Sequence, residues 1–213
     1  MSWTSTTDVD TVTVAIATIP GRERLLSRAL LSCDRQWRQP ERVLVEHDFD
    51  RTGAAATRNR MLGKVDTEWV AWLDDDDQFL PNHLAVLLDA SEDADLVYPT
   101  PRMASGFDPT AVVVDGRWVK PWGVPFTDEC AFHIKARGSF IPVTHMVRTE
   151  KVLEAGGFPE GRTLPDGRYQ GEDERYLIEL LEAGARFKHV NEQTWLWFGS
   201  HGSNTAGKGR SGA

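Results

Sequence analysis

The first hundred residues alternate between apolar, β-branched segments and amphipathic segments, and this alternation constrains the fold more than any other feature. The β-branched and apolar segments predict buried strands at 11–18, 42–47, 68–73 and 94–100. The segments between them predict helices at 25–33, 53–62 and 81–90. Short strand–helix–strand connections are typical of an α/β domain with a mostly parallel sheet, in which ligands bind at the carboxyl ends of the strands.

The regular alternation stops near residue 101. A hairpin is predicted over 112–119 around Asp115–Gly116, whereas residues 120–140 give no clear prediction. Further strands are predicted at 140–147, 185–190 and 194–198. Further helices are predicted at 149–158, where glycines end the helix, and at 171–184.

Bulk properties exclude several classes of protein. A length of 213 residues is sufficient for a real hydrophobic core. The formal net charge of -8 makes nucleic acid an unlikely partner, because a broad acidic surface repels it. Cys33 and Cys130 lie far apart in the sequence and predict two buried free thiols. Together with a polar N-terminus and no apolar run long enough to span a bilayer, this predicts a cytoplasmic protein without integral membrane association.

Four consecutive aspartates, Asp74 to Asp77, follow the third predicted strand. Two charges about 4 Å apart near a protein surface repel by roughly 4 kcal/mol, so the cluster needs a stabilising partner. Strand alternation predicts Asp74 and Asp76 on one face and Asp75 and Asp77 on the other. Hard oxygen ligands suit Mg²⁺ or Mn²⁺. The alternative is a solvated acidic turn with a capping aspartate before the next helix.

Three other motifs have a functional and an ordinary interpretation. Glu172 and Asp173 lie in the first turn of a predicted helix, where a carboxylate is either a general base or a partner of the helix dipole. Arg58 and Asn59 end a small-residue segment, and the arginine either pairs with phosphate or lies on the surface. His201, in the Gly/Ser-rich tail, either closes over a metal or has no role.

The order and spacing of these segments are more specific than any one of them. VAIATIPGRERLL, GAAATRNRML, VAWLDDDDQFLPNHL, and GGF followed by GEDERYLIELLEAGARF resemble the GT-A glycosyltransferases of the family-two type over about residues 11–204. The resemblance implies a single α/β domain of the GT-A fold, a Rossmann-like α/β/α sandwich with a mostly parallel central sheet. It also implies a nucleotide-sugar-binding half at 11–100 and an acceptor-binding and catalytic half at 101–198. Residues 1–10 are predicted to be disordered, and the Gly/Ser-rich composition of 199–213 predicts a flexible tail.

The resemblance also implies roles for individual residues. Those implied for donor binding are Thr18, Pro20, Arg22, Glu46, Asp48, Arg58, Asn59, Asp74 and Asp75. Asp76 is implied as the direct ligand of Mn²⁺ or Mg²⁺, together with Asp74, with Asp77 adjoining and His201 as a further ligand. Asp173 is implied as the general base beside Glu172, with inversion at the anomeric carbon.

The acceptor side is less defined. Four tryptophans are candidates to stack on a sugar: Trp118, Trp122, Trp195 and Trp197. For Trp195 and Trp197, which alternate with Leu196 in a predicted strand, core packing is the favoured alternative. His145 either faces the acceptor or is a core histidine with satisfied hydrogen bonds.

The implied donor is a nucleotide-diphosphate sugar, with a UDP-sugar favoured and a GDP-sugar possible. The implied acceptor is a glycan, a protein or another hydroxyl compound. One alternative is a sugar nucleotidyltransferase, which needs a glycine-rich phosphate loop where this chain has only TIPGRER. The other is a nucleotide-sugar-binding module without turnover.

Overall fold

The structure is a computed structural model that describes residues 10–104, 112–114, 117–119 and 126–198, the two short middle segments by their backbone only. The helices are α1 (Glu23–Asp34), α2 (Ala54–Leu62), α3 (His83–Asp89), α4 (Asp128–Arg137), α5 (Thr149–Glu154) and α6 (Glu172–Glu182). The strands are β1 (Val12–Thr18), β2 (Arg42–His47), β3 (Trp69–Asp74), β4 (Gln78–Phe79), β5 (Leu96–Met103), β6 (Val112–Val114), β7 (Arg117–Val119), β8 (Met146–Arg148), β9 (Arg162–Thr163), β10 (Tyr169–Gln170) and β11 (Phe187–Trp197).

Seven of these strands form one sheet in the order β2-β1-β3-β8-β5-β11-β4. β1 runs parallel to both β2 and β3, and β11 runs parallel to β5. The short β8 lies antiparallel between β3 and β5, so these two strands point the same way. Five strands therefore share one direction, and strands from both halves of the chain build a single domain, which confirms the predicted α/β fold with a mostly parallel central sheet.

Helices cover both faces of the sheet because successive strand residues point to opposite sides. Val14 and Ile16 of β1 belong to the apolar cluster that also contains Leu26 of α1 and Leu84 of α3. Ala15 belongs to the other cluster, with Met61 of α2 and Tyr176, Leu177 and Leu180 of α6. The result is the predicted α/β/α sandwich, with α2 and α6 on the same side.

The predicted strand over 140–147 is wrong for most of its length, since only 146–148 pair in the sheet. Pro142 has no N–H to donate to a neighbouring strand, and the N–H of His145 bonds the carbonyl of Val143 within a turn. Ile141 and Val143 are nevertheless buried. The apolar pattern over these residues therefore indicated that they are buried, and not that they pair in the sheet.

Other boundaries also differ from the prediction. The strands predicted at 185–190 and 194–198 are one strand, β11, whose register shifts between Val190 and Trp195 allow the exposed residues 191–193 to stay within it. The helix predicted from 81 begins at His83, and the one predicted to 158 ends at Glu154.

Two smaller predictions had different outcomes. The hairpin over 112–119 is confirmed by antiparallel pairing of β6 with β7, while its turn lies outside the described residues. Both cysteines are free, as predicted, but only Cys33 is buried, whereas Cys130 is half-buried.

Within the described part of the chain, the helices are too short or too polar to cross a membrane.

Candidate active site

A cleft of about 610 Å³ opens at the carboxyl ends of β1, β2 and β3, where a parallel sheet is expected to bind its ligand. It is bounded on the other side by the start of α6 and by the end of β11. The predicted site residues that line it are Thr18, Arg22, Asp48, Arg58, Asp74, Asp75, Asp76, Glu172 and Asp173. The cleft therefore joins the acidic turn and the Glu-Asp motif, which are almost a hundred residues apart in the sequence.

The acidic turn closes directly after β3. The N–H of Asp77 bonds the carbonyl of Asp74 at 3.1 Å, so the strand alternation ends at Asp74. Carboxylate oxygens of Asp74, Asp76 and Asp77 lie within 4.8 Å of one another. The predicted pairing of Asp77 with Asp75 on the opposite face is therefore wrong, because the chain turns where a continuing strand was assumed.

Asp75 is the aspartate that points elsewhere. Its carboxylate accepts a hydrogen bond from the Thr18 hydroxyl at 2.5 Å and lies 2.9 Å from the Arg22 guanidinium. The same guanidinium also contacts Asp76 at 2.5 Å. Burial raises the pKa of Asp75 to about 6, although the Thr18 hydrogen bond and Arg22 oppose the shift.

Asp77 has the most shifted carboxyl group of the turn. It is buried, and its Oδ1 accepts the N–H of Phe198 at 3.0 Å. Burial, followed by the charge of Asp74, raises its pKa to about 9. Arg22 beside Asp75 and Asp76, and Arg58 beside Asp74, offset part of the repulsion among the four aspartates.

The acidic turn also fits a divalent cation. Its donors are carboxylate oxygens, the ligands that Mg²⁺ and Mn²⁺ prefer. Oxygens on opposite sides of an ion at about 2.1 Å lie about 4.2 Å apart, so the three carboxylates of the turn need to move only slightly to share one ion. His201, the further ligand predicted from the sequence, lies outside the described residues.

The Glu-Asp motif opens α6 at the opposite wall. Asp173 is half-buried, and its Oδ1 accepts the N–H of Glu174 at 2.8 Å. Burial, followed by the neighbouring charge of Glu172, raises the pKa of Asp173. Gly171 makes room for this conformation, because a Cβ at that position would lie 2.6 Å from Asp173 Oδ1.

Arg58 connects the two acidic motifs. Its guanidinium is buried and lies 3.0 Å from Asp74 Oδ1 and 3.2 Å from Glu172 Oε1. One side chain on α2 therefore pairs with the end of β3 and with the first turn of α6.

The site geometry agrees with a sequence comparison that decides the family. Residues 26–155, more than half of the chain, match glycosyl transferase family 2. The chain belongs to glycosyl transferase family 2. The predicted resemblance is therefore confirmed at the level of the family. No curated protein sequence matches the chain.

Solved structures of S. aureus TarS share the fold of this family 2 chain. The full TarS structure is 16% identical, with a TM-score of 0.65 over 88% of this chain and 36% of TarS. TarS 1-349 in complex with UDP-GlcNAc is 16% identical, with a TM-score of 0.66 over 92% of this chain and 61% of that one. TarS 1-349 in complex with UDP is 17% identical, with a TM-score of 0.60 over 88% and 60%. The family 2 chain thus spans well under two thirds of these proteins.

Two predicted donor residues at the end of β2 have structural partners in this family 2 chain. The Asp48 carboxylate accepts the N–H and the hydroxyl of Thr52 and the N–H of Gly53, at 2.7–2.8 Å. These bonds shape the loop that lines the cleft. Glu46 pairs with Arg60 at 2.9 Å and is not among the cleft-lining residues.

Three further predicted residues do not line the cleft in the described structure. Pro20 lies in the turn after β1, and the Asn59 side chain bonds the backbone of Phe158. His145 is buried, with Nδ1 2.9 Å from the Pro142 carbonyl oxygen, and burial lowers its pKa to about 4. The burial agrees with the alternative of a core histidine, but Nε2 has no hydrogen-bond partner among the described residues, so the expected satisfied hydrogen bonds are only half present.

The aromatic predictions had different outcomes. Trp195 is fully buried, whereas Trp197 lines the cleft. Trp122 lies outside the described residues, and Trp118 is described by its backbone only.

Arg51 and Tyr169 are among the cleft-lining residues that sequence reasoning missed. Arg51 lines the cleft from a loop in which its φ is 55°, an uncommon value for a residue with a Cβ. Tyr169 lines it from β10 and is 57% exposed. A tyrosine four residues before Asp173 is a signal that could have identified it.

Proposed function

We propose that this chain transfers a sugar from a nucleotide-diphosphate sugar, with a UDP-sugar favoured, to an acceptor hydroxyl, with inversion at the anomeric carbon. The observation that carries the proposal is the shared cleft, in which carboxylates suited to a cation face a half-buried carboxylate suited to accept a proton. Membership of family 2 supports glycosyl transfer. The TarS structures with UDP-GlcNAc and UDP support a uridine donor.

The donor binds at the acidic turn in this proposal. Asp74 and Asp76, with the adjoining Asp77, would hold Mn²⁺ or Mg²⁺, and the bound ion would supply Lewis-acid neutralisation of the diphosphate leaving group. Thr18 fixes Asp75 by a hydrogen bond, and Arg22 keeps a guanidinium at the mouth of the cleft. A guanidinium there adds positive charge beside the diphosphate.

The acceptor reacts at the other wall. Asp173 accepts the proton of the acceptor hydroxyl as that oxygen attacks the anomeric carbon. The new bond joins the acceptor oxygen to the anomeric carbon, and the bond from that carbon to the diphosphate oxygen breaks with its electron pair. The raised pKa of Asp173 makes it a better base than an ordinary aspartate. Attack opposite the leaving group inverts the configuration.

A donor screen tests the proposal. UDP-GlcNAc, UDP-glucose and GDP-mannose are each incubated with Mn²⁺ and the protein, and hydrolysis of the donor to free sugar is followed by NMR. We expect one nucleotide diphosphate to be released, with the opposite anomer formed first. Retention of the anomer would contradict inversion. Binding of a donor without any turnover would favour the non-catalytic module.

A further inference from the structure

We propose that Arg58 is a positioning residue that fixes the catalytic helix α6 against the acidic turn, and not a ligand of the donor phosphate. This inference rests on the proposed function. It explains how the acidic turn after β3 and the Glu-Asp motif of α6, which are distant in the sequence, are held at a fixed separation in the cleft.

The two carboxylate contacts occupy both ends of the Arg58 guanidinium. Nη2 faces Asp74 of β3, and Nη1 faces Glu172 of α6, at 3.0 and 3.2 Å. Only 8% of the side chain is exposed, so it has little freedom to turn towards a ligand. A buried guanidinium with two opposite charges is well placed to hold those charges apart at a fixed distance.

Asn59, the residue after Arg58 in α2, bonds the backbone of Phe158, which lies between α5 and α6. Its Oδ1 accepts the N–H of Phe158 and its Nδ2 donates to the carbonyl of Phe158, both at 2.8 Å. Gly157 has a φ of 78°, and a Cβ there would lie 2.5 Å from Asn59 Oδ1. The glycine is therefore required for this close pairing.

Phe158 carries the connection to α6. Its ring stacks on Tyr176 of α6, with centroids 3.9 Å apart and planes within 9°. The ring also lies nearly perpendicular to the ring of Trp72 of β3, with the two centroids 5.0 Å apart. The Arg58 guanidinium lies 5.2 Å above the same ring. Helix α2 therefore contacts α6 at its acidic first turn through Arg58 and one turn further on through Phe158.

The consequence for the reaction is geometric. The base on α6 acts on the acceptor hydroxyl and the residues at the end of β3 act on the diphosphate, and both groups must be in line with the anomeric carbon, so an error in their separation is costly. A displacement of about 1 Å between reacting groups can reduce a rate by about 10²-fold. Loss of Arg58 should therefore reduce kcat, while donor affinity is retained.

The test compares Arg58→Ala and Arg58→Lys with Arg42→Ala, which removes an exposed arginine that pairs with Asp66 outside the cleft. The probe is UDP-GlcNAc with Mn²⁺, and the readouts are its Kd by calorimetry and kcat for its hydrolysis to free sugar. For Arg58→Ala we expect kcat to fall about 100-fold with Kd within about threefold, and added guanidinium ion to restore part of kcat. Lysine cannot form both contacts, so Arg58→Lys should show the same Kd and an intermediate kcat.

Hydrogen exchange at residues 171–176 provides a readout that does not depend on activity. We expect faster exchange there in Arg58→Ala than in Arg42→Ala. A large rise in Kd with unchanged kcat would overturn the inference in favour of a donor ligand, and unchanged exchange at the start of α6 would also overturn it. If the wild-type protein neither binds nor hydrolyses UDP-GlcNAc, the proposed donor is wrong, and the exchange experiment still decides the role of Arg58.

Discussion

The acidic turn after β3 and the acidic first turn of α6 use the same residue types in the same cleft, but their surroundings differ. In the turn, oxygens of three aspartates converge, and one of the three carboxyl groups has a pKa of about 9. At the helix start, Glu172 pairs with Arg58 and Asp173 accepts a backbone N–H. Guanidinium groups contact both motifs, Arg22 and Arg58 at the turn and Arg58 at the helix start. The turn brings three carboxylates together and suits a cation, whereas the helix start leaves Asp173 as the proposed proton acceptor.

The largest effect should come from Asp173, the proposed general base. Asp173→Asn removes the proton acceptor without changing side-chain size, so we expect kcat for hydrolysis of UDP-GlcNAc to fall by about 10²–10⁴-fold. The Kd for UDP-GlcNAc with Mn²⁺ should stay within about threefold, because the acidic turn is unchanged. Turnover is measured by NMR and binding by calorimetry.

Glu174→Gln is the matched control for this substitution. Glu174 lies in the same helical turn but pairs with Arg168 at 2.7 Å. We expect its kcat to stay close to that of the wild type. Equal losses in both variants would show that the helix start has only a structural role, and the distinction between the two acidic motifs would not hold.

The next effect concerns the turn. Asp76→Asn should weaken Mn²⁺ binding by at least about 10–100-fold, since loss of even an outer-shell partner costs that much. Mn²⁺ affinity is measured by electron paramagnetic resonance of the free ion, without a nucleotide. Asp66→Asn, at an exposed carboxylate outside the cleft, serves as the control. Equal affinity in Asp76→Asn and the control would exclude Asp76 as a ligand.

A third prediction uses the proton on Asp77. Its pKa is raised from 3.8 to about 9, so between these pH values the folded state binds more protons than the unfolded state and stability falls as pH rises. Asp77→Asn removes this cost and can still accept the N–H of Phe198. With a chelator present, Tm should rise by several degrees at pH 8, at about 2–4 °C per kcal/mol for a chain of this size, and by much less at pH 5. The same change in Tm at both pH values would contradict a buried, titrating carboxyl.

The smallest effect tests the packing of the helix start. Gly156 and Gly157 have similar φ values, 82° and 78°, so alanine is strained to a similar extent at both positions. Only at Gly157 does an added Cβ meet Asn59, and nothing lies within 4 Å at Gly156. We expect Gly157→Ala to lower Tm by about 2–4 °C more than Gly156→Ala, from the weakened pairing with Phe158. In an Asn59→Ala background, Gly157→Ala and Gly156→Ala should lower Tm equally. If the difference in Tm remained, a clash between a Cβ at position 157 and Asn59 would be contradicted.

The sequence predicted the regular half of the fold because β1, β2, β3 and β5 combine β-branched residues with short connections. It did not predict α4, since DECAFHIKAR has no clear apolar stripe and begins at a cap, Thr127, that the pattern did not identify. The length of β8 was overestimated because burial of Ile141 and Val143 imitates a strand.

The site was predictable to the extent that its roles are local. The acidic turn and the Glu-Asp motif could be located from their neighbours. The convergence of Asp77 with Asp74 depends on the turn geometry, and the Asn59 contact depends on Phe158, which is 99 positions away in the sequence. Such contacts leave no periodic signal in the sequence.

Calorimetric titration of the protein with UDP-GlcNAc, with Mn²⁺ and again with a chelator, decides whether the donor binds through a cation at the acidic turn. We expect binding with Mn²⁺ that is lost with the chelator, and loss of the Mn²⁺-dependent binding in Asp76→Asn. Binding of equal affinity with the chelator would contradict a donor site built on the acidic turn. If neither UDP-GlcNAc nor another nucleotide sugar binds under any of these conditions, the proposed function itself is contradicted.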